Sequence, residues 1–235
     1  MSGGTDFHDT LLMLVYPGPF ATAQIEKLAL AEHGFTVRYL LQETLPREVT
    51  AREYATVLFE RCQLAGADVS TIVSHCAAGQ IARELAPMLA RRRNRVPKMV
   101  RINPEFPTLD NLVRTIEAAL RQPLPKPGSS ELTLSMLTLP MFEELEQELA
   151  DQLLEKVGGS GSAARDLSRM QVNWVIHLVA AGRPSARTDM AEELHITAAD
   201  HACDAACAAR HLVVCDDSEL VFSSPEVIEA IRAER

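Results

Sequence analysis

The sequence predicts an α/β fold, a mostly parallel sheet with helices on both faces. Three observations carry that prediction. Between Leu11 and Arg92 the chain repeats strand, loop and helix, and a further strand follows at Met99–Asn103; this is the rhythm of parallel strands joined by helical crossovers. The first strand is a continuous apolar run, as a strand buried on both faces requires. Apolar residues make up 47% of 235, ample for a large core and incompatible with global disorder.

The elements follow in order. Leu11-Leu-Met-Leu-Val-Tyr16 reads as a buried strand that ends in the loop Pro17-Gly18-Pro19, because a helix would need more length. Ala21–His33 reads as a helix with Gly34 at its stop. Phe35–Leu41 is a second strand, Thr50–Ala65 a second helix ended by Gly66. Ser70–Ser74 and Met99–Asn103 are strands flanking a helix from Ala77 to Arg92. Pro123, Pro125 and Pro127 then break the pattern. Helical stretches at Met141–Val157 and Leu167–Ala181, the second carrying Trp174, are joined by Gly158-Gly-Ser-Gly-Ser162, a composition suited to a flexible link. The rhythm resumes with strand Leu194–Ala198, helix Ala202–Arg210, strand His211–Cys215 and helix Pro225–Arg235. The expectation is one domain over residues 1–235 with a helical lid inserted at about 120–185.

Charge and cysteine content narrow the function classes. The formal net charge is −9, against a chain built to neutralise nucleic-acid phosphates. Residues 1–10 are polar and the run Leu11–Tyr16 is far too short to span a bilayer, so neither a leader nor a membrane contact is expected. Five cysteines, an odd number in a chain this long, read as reduced thiols in a cytoplasmic protein.

The sharpest motif is Val73-Ser74-His75-Cys76-Ala77-Ala78-Gly79. A strand runs through small residues directly into a helix, with a nucleophilic side chain at the apex. That is the arrangement of a nucleophile elbow, usually written G-x-S-x-G. A helix N-terminus beneath the apex offers N–H groups and a positive dipole end, and is expected to lower the pKa of Cys76.

From Leu11 to about Pro107 the chain resembles the thioesterase branch of the α/β-hydrolases, the small enzymes attached to or accompanying polyketide and nonribosomal peptide synthases. The matching pieces are Leu14-Val-Tyr-Pro-Gly18, Ser74-His-Cys-Ala-Ala-Gly79, Ile81-Ala-Arg-Glu-Leu-Ala86 and Val100-Arg-Ile-Asn-Pro104. A helical lid followed by a resumed sheet is also that family's order of parts. The resemblance implies an α/β-hydrolase fold and an activity on acyl or peptidyl thioesters borne on the phosphopantetheine arm of an acyl or peptidyl carrier protein. It implies Cys76 as nucleophile where the family has serine, and Phe20 and Ala77 as the backbone N–H donors of an oxyanion hole. Of the family's two positions for the acid, one corresponds to Asn103, which cannot ionise, and the other to Asp200. The base position falls at Ser218; His201, beside Asp200, is a candidate for a displaced base.

A thiol tolerates a missing base better than a hydroxyl does, because cysteine is a few per cent thiolate at neutral pH. Acylation of Cys76 is therefore expected without histidine, with acyl transfer or cyclisation at least as accessible as hydrolysis. The alternative is a catalytically degenerate hydrolase that serves as a binding or scaffold partner in a biosynthetic assembly. No cofactor and no metal are expected. Cys203, Cys207 and His211 would share one face of the helix Ala202–Arg210, and the Ala-rich setting reads as core rather than as a ligand set. His75, one residue before the apex, should point away from Cys76. Arg91-Arg92-Arg93-Asn94-Arg95 reads either as a solvated helix end or as a dock for an acidic carrier. The amphipathic stretch 141–157 is expected to form the lid or a homodimer contact.

Overall fold

The computed structural model describes residues 10–16, 25–42, 45–93, 95–105, 108–120, 133–157, 160–184, 192–201, 203 and 207–234. Six strands, β1 (Thr10–Leu14), β2 (Thr36–Tyr39), β3 (Val69–His75), β4 (Lys98–Ile102), β5 (Glu193–Ala198) and β6 (Arg210–Cys215), form one sheet in the order β2-β1-β3-β4-β5-β6. Every pairing is parallel. The chain steps outward in one direction from β1 to β2 and in the other from β3 onward. The crevice outside the carboxyl ends of β1 and β3 is thus the topological switch point, where open α/β sheets bind ligands.

The period-2 alternation of strand side chains divides the core. Leu12, Leu14, Ile72 and Met99 face α1 (Ala51–Arg61) and α2 (Ala78–Arg93). Leu11, Met13, Val73 and Val100 face the opposite side, where α6 (Pro225–Ala233) contributes Val227 and Ile231. Continuous apolar runs are what such two-sided burial demands. A third core lies among α3 (Leu109–Leu120), α4 (Leu139–Val157) and α5 (Gly161–Ala181), built on Leu112, Phe142, Leu145, Val172 and Val175, and Ala77 reaches it from the start of α2. Arg47, in the connection after β2, ties this helical layer down. Its Nη1 lies 2.6 Å from Glu146 of α4 and 3.2 Å from the Asn173 amide oxygen of α5.

Four sequence expectations are corrected. In place of a helix over Ala21–His33 the described part is a 3₁₀ turn at Ile25–Leu28, and the chain turns through Ala29 (φ +42°) and Gly34 (φ +82°). A helix, α3, precedes the proline-rich segment. Gly161 and Ser162 lie inside α5, whose N-cap is Ser160; its Oγ accepts the Ala163 N–H at 3.3 Å. Last, the described residues between β5 and β6 are not helical, although Ala202–Arg210 is rich in alanine; His201 forms a turn and Arg210 already belongs to β6. Pro17–Phe20, Pro123, Pro125, Pro127, Gly158, Gly159, Ala202, Asp204, Ala205 and Ala206 lie outside the described residues. Among the described residues no helix is long and apolar enough to cross a membrane.

Candidate functional site

Cys76 sits where β3 ends and α2 begins, with φ +54°. A non-glycine residue is held in this left-handed region only when its surroundings over-determine it. Here the Cys76 N–H donates to the Ile102 carbonyl at 3.1 Å, extending the β3–β4 pairing beyond the last regular residue. Small neighbours make the turn possible: Ala77 and Ala78 are buried, and Gly79 passes against Arg101. A Cβ at Gly79 would fall 2.2 Å from the Arg101 Nε, so a side chain at that position of the motif would force the buried guanidinium to shift.

The apex opens onto a cavity of about 310 Å³ lined by Cys76, His75, Glu105, His177, His201 and Ser218 among others. The cavity lies at the carboxyl ends of the strands, beside the switch point, and the helical layer closes it from above. Trp174 and His177 of α5 project onto Tyr16 at the end of β1, with ring centroids 4.8 and 5.0 Å away. His177 is fully buried and its Nδ1 has no hydrogen-bond partner among the described residues. Desolvation lowers its pKa to about 3, so the ring is neutral at pH 7.

The closest polar contact of the Cys76 thiol is with Glu105: Sγ donates to Oε2 at 3.0 Å. Burial pushes the thiol pKa well up, and the Glu105 charge pushes it further in the same direction. The Ala77 backbone N–H and the Arg101 charge act the other way and are outweighed. The expected lowering by the helix N-terminus is thus overturned. A dipole end is worth a few tenths to about 1 kcal/mol, less than the removal of a thiolate from water next to a carboxylate.

The other sequence-derived residues divide into two groups. Ser218 Oγ donates to Asp200 Oδ1 at 2.5 Å, and this contact holds the Asp200 carboxyl below its ordinary range. Two residues 18 apart in sequence, on the loops after β5 and β6, are thereby paired at the cavity rim. Asn103, also at positive φ (+42°), is occupied structurally. Its Oδ1 accepts the Ala198 N–H at 3.2 Å and its Nδ2 donates to the Ser218 carbonyl at 3.4 Å. His201 Nε2 lies 3.0 Å from the Pro104 carbonyl; a carbonyl can only accept, so Nε2 carries the proton in that contact. His75 lines the cavity, contrary to simple strand alternation, because the elbow breaks the strand beside it. It packs edge-on against Phe222 at 5.1 Å, and burial, with His201 nearby, lowers its pKa to about 4. Phe20 lies outside the described residues.

Among solved structures the chain is similar to ClbQ from the colibactin NRPS/PKS pathway (14% identity, 97% of this chain and 96% of that one, TM-score 0.52). It is similar to the RedJ thioesterase of the prodiginine pathway in Streptomyces coelicolor (14%, 98% and 91%, 0.51). It is also similar to YbtT, a type II thioesterase of the yersiniabactin NRPS/PKS pathway (11%, 100% and 95%, 0.51). The chain shares the fold of these three proteins over nearly its whole length. No family model and no curated protein matches the sequence. At such low identity the likeness establishes the fold, and the chemistry must be read from the cavity. Sequence reasoning missed Glu105 and His177. Glu105 lies 29 residues from Cys76 and comes near it only through the β3–β4 pairing. His177 sits in a helix whose periodicity marks the position as core.

Proposed function

We propose that this protein is a thioesterase-like enzyme that handles carrier-bound acyl or peptidyl thioesters through an acyl-Cys76 intermediate. The observation that carries the reading is the Cys76 thiol, at a strained elbow inside a cavity, donating to the Glu105 carboxylate at 3.0 Å. Glu105 stands where a base is needed and supplies one without histidine. The Cys76 proton moves to Glu105 as the sulfur bonds to the thioester carbonyl carbon. Negative charge builds on the carbonyl oxygen against the Ala77 N–H, with the Phe20 N–H as the second donor the sequence suggests. The carbon–sulfur bond to the phosphopantetheine arm then breaks, and the departing thiolate takes the proton back from Glu105. One thioester is exchanged for another, and no cofactor enters the scheme.

The raised thiol pKa makes proton transfer concerted with attack, because a free thiolate is disfavoured in this pocket. An acceptor alcohol, amine or water completes transfer, cyclisation or hydrolysis. In this reading residues 120–185 act as a lid that shapes the acyl pocket over one hydrolase domain, in a cytoplasmic protein. The exposed Leu154, Leu167 and Met170 of the α4–α5 layer are where a second copy would pack, and the Arg91–Arg95 cluster is where an acidic carrier would dock. The names of the similar structures place thioesterases of this fold in NRPS/PKS pathways, which supports carrier-bound substrates here.

One observation favours a second reading, a degenerate hydrolase acting as a scaffold: Ser218, not a histidine, is the partner of Asp200. Intact-protein mass after incubation with acyl-pantetheine thioesters separates the two. The enzyme gains one acyl group, lost in Cys76→Ala and slowed by about 10²-fold or more in Glu105→Gln, the range of general-base assistance. A wild-type protein whose mass is unchanged under these conditions is a scaffold. Equal acylation rates in wild type and Glu105→Gln would remove Glu105 from the mechanism.

A further inference from the structure

On the α2 face of β5, opposite the core that Leu194 and Ile196 enter, four soft-donor side chains converge. His195 of β5, Cys203 and Cys207 of the β5–β6 connection, and His211 of β6 each offer one ligand atom, and these atoms all lie within 4.8 Å of one another. We propose that they form a Cys₂His₂ site for a zinc ion that staples the β5–β6 crossover to the sheet.

The geometry already approaches a coordination shell. Zinc–sulfur bonds of about 2.3 Å and zinc–nitrogen bonds of about 2.0 Å place tetrahedral ligand atoms roughly 3.3–3.8 Å apart. His195 Nδ1 lies 3.3 Å from the Cys203 sulfur and 3.3 Å from the Cys207 sulfur. His195 and His211 are register partners on adjacent strands, so their rings project from the same face, with centroids 5.2 Å apart.

The surroundings are those of a ligand set. His195 is wholly buried, and its Nε2 lies 3.2 Å from Glu193 Oε2. A carboxylate there accepts from Nε2–H, which fixes the tautomer and leaves the Nδ1 lone pair aimed at the two sulfurs. This carboxylate–histidine arrangement is the usual support of a metal-bound imidazole. Glu193 is itself held by two contacts from Arg83, at 2.6 and 2.8 Å, and lies 3.6 Å from Arg101.

Donor chemistry selects the metal. Two thiolates and two imidazoles suit zinc and exclude calcium or magnesium, which take oxygen. Four protein ligands fill a tetrahedron, so the ion is structural. Binding balances simply: each thiol gives its proton to solvent, two S–Zn and two N–Zn bonds form, and the two thiolate charges offset the charge of the ion. The spacing Cys203-x₃-Cys207-x₃-His211 falls within zinc-site usage.

The fold supplies a reason for such a staple. Parallel strands need a crossover of a dozen or so residues, usually a helix, and the described residues of this one are not helical. Ligands on both strands and on the connection would fix that connection to the sheet. Asp200 and His201 precede Cys203 on that segment, so the staple also sets the rim of the Cys76 cavity.

The test is metal titration of the full-length protein, stripped with a chelator and kept reduced. Cobalt(II) is expected to bind at one per chain with the visible bands of a tetrahedral site and thiolate-to-cobalt charge transfer, and zinc to displace it. Zinc at about a thousandfold over Kd should raise Tm by roughly 10 °C. Cys203→Ser with Cys207→Ser, and His211→Asn, should abolish the spectrum, while Cys76→Ala leaves it intact. A wild-type protein that takes up no cobalt overturns the proposal and needs no variant to do so. So does a tetrahedral spectrum that survives the double substitution, or a Cys203–Cys207 disulfide that re-forms in place of metal uptake.

Discussion

Single side chains carry the chemistry proposed for this molecule, and two are placed by neighbours remote in sequence. Glu105 reaches Cys76 because β4 lies beside β3; Ser218 reaches Asp200 because β6 lies beside β5. The second pairing makes a prediction. Ser218 already hydrogen-bonds Asp200 at 2.5 Å and lines the Cys76 cavity, so Ser218→His brings an imidazole to a carboxylate able to hold its tautomer, as the acid does in a triad. Thioester hydrolysis should rise at least about tenfold, the low end of general-base assistance, and Cys76→Ala should remove the gain. A folded Ser218→His variant with unchanged turnover in a thiol-release assay would show that this loop does not address the sulfur.

At the scale of elements, β1 was legible because burial on both faces demands a continuous apolar run, while β3, β4 and β5 mix buried polar residues such as Thr71, Arg101 and His195 into theirs. The elbow was legible because small residues crowd its turn. Helices were less so. The alanines of residues 202–210 suggested a helix, yet the described residues of that segment, Cys203 and Cys207 among them, are not helical, and His195 was hidden within the pattern of a buried strand. Propensity is a local quantity, and here the tertiary setting decides. The β3–α2 junction makes the sharpest element-level prediction. A Cβ at Gly79 would lie 2.2 Å from Nε and 2.5 Å from Cζ of Arg101, a side chain with no exposure through which to move aside. Gly79→Ala should destabilise by about 1–3 kcal/mol, the cost of overpacking, read from the urea midpoint. A change below about 0.5 kcal/mol would mean that Arg101 has room to shift.

Across the whole molecule, acid should act through imidazoles that folding keeps neutral. His177 falls to about 3 and His75 to about 4, both chiefly by burial. With folded values below the ordinary 6.5, the unfolded chain binds more protons between pH 6.5 and these values, so stability falls as pH falls through that window. Each such histidine contributes a slope of about 1.4 kcal/mol per pH unit there. His177→Phe, which keeps a ring among Tyr16, Tyr54 and Trp174, should reduce the slope of unfolding free energy against pH by about one proton between pH 6 and 4. An unchanged slope would mean that His177 is already protonated in the folded protein or reaches water.

The Asn103 amide works as a clasp on the cavity rim. It accepts from the Ala198 N–H and donates to the Ser218 carbonyl, so one side chain joins the ends of β4 and β5 to the turn after β6. A carboxylate of the same size keeps the first contact but loses the second, and sets a negative oxygen against a carbonyl oxygen. An ionisable acid at this position would therefore unclasp the loop that carries Ser218. An acid at position 103 and a base at position 218 thus oppose each other. A triad built on this rim would draw its acid from Asp200, on the loop after β5, which already holds Ser218.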